Sequence, residues 1–370
     1  MKPLKLIFSG GGTGGHIFPA IAIANAVKQL VPHSEILFVG AVGRMEMEKV
    51  PAAGFKIEGI PIAGLQRKLS LANFKLPFLI IQSLLKARRI INNFKPDVVV
   101  GTGGYASGPL LRSAVSKNIP VLIQEQNSYA GITNRLLSKH AARICVAYEG
   151  MQAYFPAGKI VVTGNPVRPE VVAIEGKRPE AFRYFQLDET KKTVLVVGGS
   201  LGAKAINETI GQGLSKFAEQ DIQLIWQCGK VYYEIAKQQV QGFSDKGVHL
   251  SEFISRMDLA YAAADVVISR AGAGAISELC LVNKPSILVP LPTAAEDHQT
   301  KNAMALVNKR AAVLVKDKEC QSKLVSECLV LLGDIELQLE LSKNSSTLAQ
   351  RDSALRIAKE VLSLANYPFV

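Results

Sequence analysis

His16 and Glu278, each beside a glycine-rich loop, are the side chains best placed to do chemistry. His16 ends the run "GGGTGGH" (10–16) and opens "FPAIAIANAVKQL" (18–30), which has the apolar pattern of a helix. The positive end of a helix lowers an imidazole's proton affinity and favours its neutral form. A neutral imidazole can accept a proton from a hydroxyl, which is general-base work. It can equally be a histidine held by nearby backbone, and the local sequence alone does not separate the two. Glu278 lies one turn inside a helix that begins near Ala273, after the small residues of "SRAGAGAISE" (269–278). Such a helix start binds phosphate through backbone N–H groups without a metal. A carboxylate touching that phosphate would weaken binding. Glu278 makes better sense accepting hydrogen bonds from a ribose diol, the alternative being a dipole or capping role in the first turn.

Two further loops share this character. Gly10-x-Gly12-x-x-Gly15 has dinucleotide-fingerprint spacing. However, the next strand ends Val39-Gly40-Ala41, with its acid, Glu35, at the beginning, so an NAD ribose has no anchor. "GGSLGA" (198–203) is a second anion cradle, with Ser200 as hydroxyl donor. The chain has no Asp-x-Asp. Asp317-x-Glu319 and Asp334-x-Glu336 fall in a late helical region and read as solvated faces. No metal-bridged diphosphate is indicated, and no cofactor is expected. Helix dipoles and donors would carry the leaving group's charge instead.

The elements that must position these residues are short apolar runs alternating with helical stretches. "LKLIFSG" (4–10), "EILFVG" (35–40), "DVVVGTGG" (97–104) and "VLIQEQN" (121–127) read as strands of a parallel sheet covered on both faces. The pattern restarts with "TVLVVGGSLGAKAINETI" near residue 193 and continues through "IQLIWQCG" (222–229), "ADVVISRAGAGAISEL" (264–279) and "SILVPLP" (286–292). "VTGNPVRPE" (162–170) is a connector. The fold class expected is α/β: two Rossmann-like, doubly wound parallel-sheet domains facing across a cleft, spanning 1–165 and 166–345. A final helix, about 346–370, is expected to pack back on the first. Ligands of such sheets bind beyond the carboxyl ends of the strands, where all three loops fall.

The bulk properties agree. A chain of 370 residues exceeds one ordinary core. At 48% apolar and 20% charged it is globular. Five scattered cysteines fit free thiols in a reducing compartment. No signal-peptide core and no membrane-spanning run is apparent, so a cytoplasmic protein is expected. The net charge of +12 serves solubility, or an anionic ligand or surface. From Gly59 to Pro96 there is no acid, while Arg67, Lys68, Lys75, Lys86, Arg88, Arg89 and Lys95 flank "LPFLIIQSLL" (76–85). That stretch is either an amphipathic helix on a sheet or an interfacial helix on anionic lipid. In the second reading Phe78, Ile80 and Leu84 supply burial, and Lys75, Lys86, Arg88 and Arg89 supply attraction.

"GGTGGHIFPAIAIA", "GTGGYASGP", "QEQNSYAGITNRLL", "VTGNPVR", "VVGGSLGA" and "SRAGAGAISEL", in this order, closely resemble the MurG family. These N-acetylglucosaminyltransferases of peptidoglycan synthesis convert lipid I to lipid II. The resemblance implies a GT-B fold and inverting transfer of GlcNAc from UDP-GlcNAc to the C4 hydroxyl of MurNAc in undecaprenyl-pyrophosphoryl-MurNAc-pentapeptide. It implies donor contacts at Thr13, Gly14, Gly15, Asn127, Arg168, Ser200, Ile254, the stretch Ala273, Gly274, Ala275, Ile276, Ser277 and Glu278, and Gln299. It also implies His16 as base and Tyr105 on the acceptor side. The location implied is peripheral, on the cytoplasmic face of the cell membrane, with other cell-wall synthesis proteins as partners. Leu201, His298 beside Gln299, and "AGAGAISE" depart from common family residues, the last two near the donor sugar that the resemblance implies.

The rival readings are a UDP-GlcNAc 2-epimerase, a glycolipid glycosyltransferase, and a non-catalytic nucleotide-binding membrane scaffold. Nucleic-acid binding is the weakest, because the basic stretch carries only Phe74, Phe78 and Phe94 as aromatics.

Overall fold

The computed structural model describes residues 3–62, 76–199, 202–243 and 246–368, without the side chains of 76, 77 and 295. The chain forms two compact units. One comprises the chain up to Val167 and again from Arg351; the other is Arg168–Gln350.

The first unit holds a parallel sheet of β1 (Lys5–Gly10), β2 (Glu35–Ala41), β3 (Lys56–Ile60), β4 (Val98–Gly103), β5 (Val121–Glu125), β6 (Arg143–Val146) and β7 (Ile160–Val162). Their order is β3-β2-β1-β4-β5-β6-β7. The second holds β8 (Thr193–Val197), β9 (Gln223–Gln227), β10 (Val248–Ser251), β11 (Val266–Ser269), β12 (Ser286–Leu288) and β13 (Val313–Leu314). Their order is β10-β9-β8-β11-β12-β13, again all parallel. The inner strands are continuous Val/Ile/Leu runs because both sheet faces are buried under helices.

Both orders reverse direction beside the first strand, between β1 and β4 and between β8 and β11. Successive connections leave such a point to opposite sides, which opens a crevice at the strands' carboxyl ends. The turns bordering the first crevice lead into α1 (Gly14–Leu30) and α4 (Ser107–Val115). Between them in sequence come α2 (Glu46–Ala52) and α3 (Leu76–Phe94). The turns bordering the second lead into α5 (Lys204–Gln212) and α7 (Ala273–Val282). In the same unit are α6 (Met257–Ala263) and α8 (His298–Val307).

The last helix, α9 (Ser353–Leu364), belongs to the first unit and packs on α1, with Ile357, Ala358, Val361 and Leu362 fully buried. Two polar ties hold it: Arg143 Nε reaches Glu360 over 3.1 Å, and Arg356 donates to Val162 O over 2.7 Å.

Candidate functional site

In the first unit the turns leaving β1 and β4 interlock. The Gly11 N–H donates to Gly103 O over 3.3 Å. A Cβ on Gly104, whose φ is +85°, would stand 2.2 Å from Gly11 O. Only glycine allows backbone to approach backbone that closely in that conformation.

His16 lies in the first turn of α1. Its Nδ1 is 3.1 Å from Gly11 O and 3.3 Å from Thr13 Oγ1. A carbonyl oxygen only accepts, so the pattern assigns a hydrogen to Nδ1 and, in the neutral ring, the lone pair to Nε2. The ring edge bearing Nε2 lies against Gly103, 3.1 Å from where a Cβ there would stand. This is the tautomer that a base acting through Nε2 requires.

Two buried carboxylates brace turns at this end of the sheet, Glu46 the one after β1 and Glu125 the one after β5. Glu46, at the start of α2, accepts from Gly12 N–H over 3.1 Å and from Ala41 N–H over 3.0 Å. Glu125 accepts from the N–H of Asn127 (3.1 Å) and Gly131 (3.0 Å) and from the side chain of Asn134 (2.8 Å). Amides then link the strand ends: Gln126 donates to Thr102 O over 2.7 Å, Gln124 to Asn165 Oδ1 over 3.1 Å, and Asn165 to Gln126 O over 3.0 Å. Thr13, Tyr105 and Asn127, on turns, and Gly14, Gly15 and His16, at the start of α1, thus stand at one end of one sheet, with Tyr105 55% exposed.

In the second unit α7 starts after Gly272. A Cβ on Gly272 or Gly274 would meet nothing within 4 Å, so the helix start faces open space. The first-turn N–H groups of Ala273, Gly274 and Ala275 have no intrahelical acceptor, the arrangement by which helix starts receive anions. Two of the expected contacts are engaged within the helix. The Ile276 N–H bonds Gly272 O over 3.0 Å, and Ser277 Oγ donates to Ala273 O over 3.0 Å.

Glu278 accepts from Tyr261 Oη over 2.9 Å. Burial pushes its carboxyl above the ordinary range, opposed by the Tyr261 hydrogen bond and the Arg168 charge. Burial likewise pushes the Tyr261 phenol well up, and the Glu278 charge adds to this. Arg168, exposed at the start of Pro169–Val172, is therefore electrostatically part of this group.

Other expected residues play more structural parts. Gln299, on α8, accepts from Leu291 N–H over 2.9 Å. Ile254 is buried, and its N–H donates to Gln227 Oε1 over 3.2 Å. Ser200 lies outside the described residues. Around it Gly199 and Gly202 have φ of +81° and +80°, and a Cβ on Gly202 would stand 2.3 Å from Cys228 O.

Of the acids read as solvated faces, Asp334 and Glu336 are exposed, while Glu319 pairs with Lys323 and Asp317 is drawn inward. Asp317 pairs with Arg270, which also donates to Val289 O and Pro290 O at 3.2 Å each. Asp334 caps the helix Ile335–Thr347 by accepting from Leu337 N–H over 2.8 Å. Among the described residues no cluster of His, Cys, Asp and Glu could hold a metal ion.

On α3 the outward face carries Phe78 (64% exposed), Ile80, Ile81 and Leu85 (65%), with Lys86, Arg88 and Arg89 exposed around them. Ser83, Ala87, Ile90 and Ile91 are buried. Leu84, expected on the outward face, is partly buried, because the helical period turns it toward Ser83 and Ala87 while Leu85 points out. Lys75 lies outside the described residues. Among those residues no helix is long and apolar enough to cross a membrane.

Glu46, Glu125 and Tyr261 escape the sequence reading. Glu46 has no local signal, since its glycine partner is 34 positions away. Tyr261 had one: a tyrosine within the apolar run "LAYAAADVV" must find a partner for its hydroxyl.

The glycosyltransferase family 28 N-terminal domain matches residues 6–146 and the family's C-terminal domain residues 193–360. The UDP-N-acetylglucosamine--N-acetylmuramyl-(pentapeptide) pyrophosphoryl-undecaprenol N-acetylglucosamine transferase of Parabacteroides distasonis is 56% identical over 364 residues, 98% of this chain and 99% of that one. The protein of the same name from Bacteroides fragilis is 55% identical, covering 98% and 96%. The crystal structure of Acinetobacter baumannii MurG superposes with a TM-score of 0.80 at 29% identity, over 98% of this chain and 100% of that one. A UDP-GlcNAc 2-epimerase from Neisseria meningitidis, bound to UDP-GlcNAc, superposes with a TM-score of 0.65 at 16% identity, over 98% and 100%. That likeness concerns the fold alone.

Proposed function

The chain belongs to glycosyltransferase family 28, among the MurG-type lipid I N-acetylglucosaminyltransferases, and from that premise we propose which of its residues carry the reaction. The protein transfers GlcNAc from UDP-GlcNAc to the C4 hydroxyl of MurNAc in undecaprenyl-pyrophosphoryl-MurNAc-pentapeptide, forming lipid II.

His16 is the base, and the 3.1 Å contact of its Nδ1 with the Gly11 carbonyl is the observation that carries this reading. Nε2 takes the proton as the acceptor oxygen attacks C1 of GlcNAc. The C1–O bond to the diphosphate breaks, UDP leaves with the electron pair, and a single displacement inverts C1. The second unit holds the donor. The N–H groups at the start of α7 receive the diphosphate, whose negative charge grows as the bond breaks. Glu278, held by Tyr261, accepts from the ribose hydroxyls. Arg168, Ser200, Ile254, Ile276, Ser277 and Gln299 complete the donor side. Thr13, Gly14, Gly15 and Asn127 are further donor contacts, and Tyr105 serves the acceptor.

The acceptor hangs from a membrane lipid. We assign α3 as the surface that meets the anionic cytoplasmic leaflet, making the protein peripheral there. Its charges and apolar face together suit reversible interfacial binding.

The test is product analysis with UDP-GlcNAc and lipid I in excess EDTA. Lipid II should form, with the new linkage inverted. Epimerised UDP-sugar without acceptor glycosylation, or a strict reversible Mg²⁺ requirement for the chemical step, would overturn the reading.

A further inference from the structure

We infer that Glu46 is a positioning residue for this reaction: its carboxylate, the Gly11–Gly12 peptide and the His16 imidazole form one hydrogen-bonded relay that orients and polarises the base. The inference rests on His16 being that base. The Gly12 N–H donates to Glu46 Oε2 over 3.1 Å, and the Gly11 carbonyl accepts from His16 Nδ1 over 3.1 Å. These are the two ends of a single peptide unit, which is planar and conjugated. A carboxylate on the N–H end draws electron density toward the carbonyl oxygen at the other end, and hydrogen bonds in series polarise one another. The oxygen becomes a better acceptor for Nδ1–H, most of all once the ring is an imidazolium. A carboxylate bonded directly to a catalytic histidine does the same work; here a peptide group stands between them.

The carboxylate is fixed in place. Oε1 accepts from Ala41 N–H over 3.0 Å. A Cβ on Gly11 would meet Oε1 at 2.2 Å, and one on Gly40 would meet Glu46 Cγ at 2.5 Å. Glu46 is fully buried, where a carboxylate is costly unless hydrogen-bonded. Both oxygens accept from backbone N–H, a role that a carboxamide could fill with only one of its two ends. The neighbouring segments also carry Tyr105, after β4, Arg44, before α2, and Glu48, in the first turn of α2, all exposed. In the transfer step the acceptor O–H breaks and its proton goes to Nε2. Nδ1 keeps its hydrogen, and Glu46 takes no proton but stabilises the cation formed.

The experiment compares wild type, Glu46→Gln, His16→Ala and the double variant on a soluble short-chain lipid I analogue, with turnover followed from pH 5 to 10. UDP affinity by calorimetry and thermal unfolding are measured alongside. Glu46→Gln should cut turnover about tenfold near neutrality, within the range for a positioned proton-transfer group, and leave UDP affinity unchanged. Its acid limb should move to lower pH, because an imidazolium without the nearby carboxylate gives up its proton more readily. In the His16→Ala background the Glu46→Gln change should add nothing. An unmoved acid limb, or losses that multiply in the double variant, would overturn the relay while leaving His16 as base. A His16→Ala loss below about tenfold would remove the base and the relay with it. Should Glu46→Gln not fold, ¹⁵N spectra of the wild-type imidazole decide: the Nδ1–H tautomer is expected, and the Nε2–H tautomer would overturn the relay.

Discussion

Glu278 sits between opposing influences: burial disfavours its charge, while Tyr261 and Arg168 favour it. With ribose hydroxyls donating to the ionised carboxylate, as proposed, UDP binding should lower a pKa that burial has raised. UDP affinity should then weaken as pH falls, starting above the ordinary carboxylate range, with protons released on binding near that pH. Calorimetry in buffers of differing ionisation enthalpy would register the release in wild type and none in Glu278→Gln. Glu278→Ala should weaken UDP binding by on the order of 2–3 kcal/mol, as for a lost hydrogen bond to a charged group; unchanged affinity would make Glu278 a helix-start residue only. Lys284 is the converse case. Burial and the Arg178 charge, opposed by Asp265, push it down to about 8, and its amine donates to Ala264 O over 2.6 Å. Its folded pKa is depressed, so between about 8 and the ordinary 10.5 the unfolded chain binds more protons, and stability rises with pH. Urea midpoints of wild type should therefore rise relative to Lys284→Met from pH 7 to pH 10. A constant difference would mean that the amine is solvated in the folded protein.

Among the elements, the paired turns after β1 and β4 are the most constrained. Gly104→Ala places a methyl 2.2 Å from Gly11 O at a φ of +85°. It should cost about 1–3 kcal/mol of stability, as for other strained backbone sites. It should also lower turnover more than UDP affinity, since this turn borders His16 and α7 belongs to the other unit. Helix α3 makes a different prediction. Changing Lys75, Lys86, Arg88 and Arg89 to Gln removes attraction worth about 1 kcal/mol per charge near an anionic surface. Sedimentation with anionic vesicles should fall, and salt should mimic the effect in wild type. UDP affinity should stay unchanged, and transfer to a soluble acceptor should survive. Equal vesicle binding by both proteins would make α3 an ordinary solvated face.

At the scale of the whole molecule, the chain closes its first unit with its last helix. Ile357, Val361 and Leu362 are fully buried on that unit, each contributing about 1.5–3 kcal/mol. Ending the chain after Gln350 removes a sum comparable to a domain's entire stability. The first unit should lose its cooperative unfolding transition, while the second keeps its own and still binds UDP. A single retained transition with full transfer activity would show α9 to be dispensable.

The sequence by itself determined the two doubly wound sheets, the three glycine loops at their strand ends and the helix start before Glu278, because these are local. An apolar run of Val and Ile followed by small residues and a helical period encodes strand, turn and helix within some thirty residues. The tertiary structure alone decided which side chains serve those loops. Glu46 finds the Gly12 N–H, Tyr261 finds Glu278, and Asp317 finds Arg270 rather than solvent. It also chose Leu85 over Leu84 for the outer face of α3. The physical reason is the same in each case. A buried polar group needs a partner within about 3 Å, and strand order, not spacing along the chain, brings that partner near.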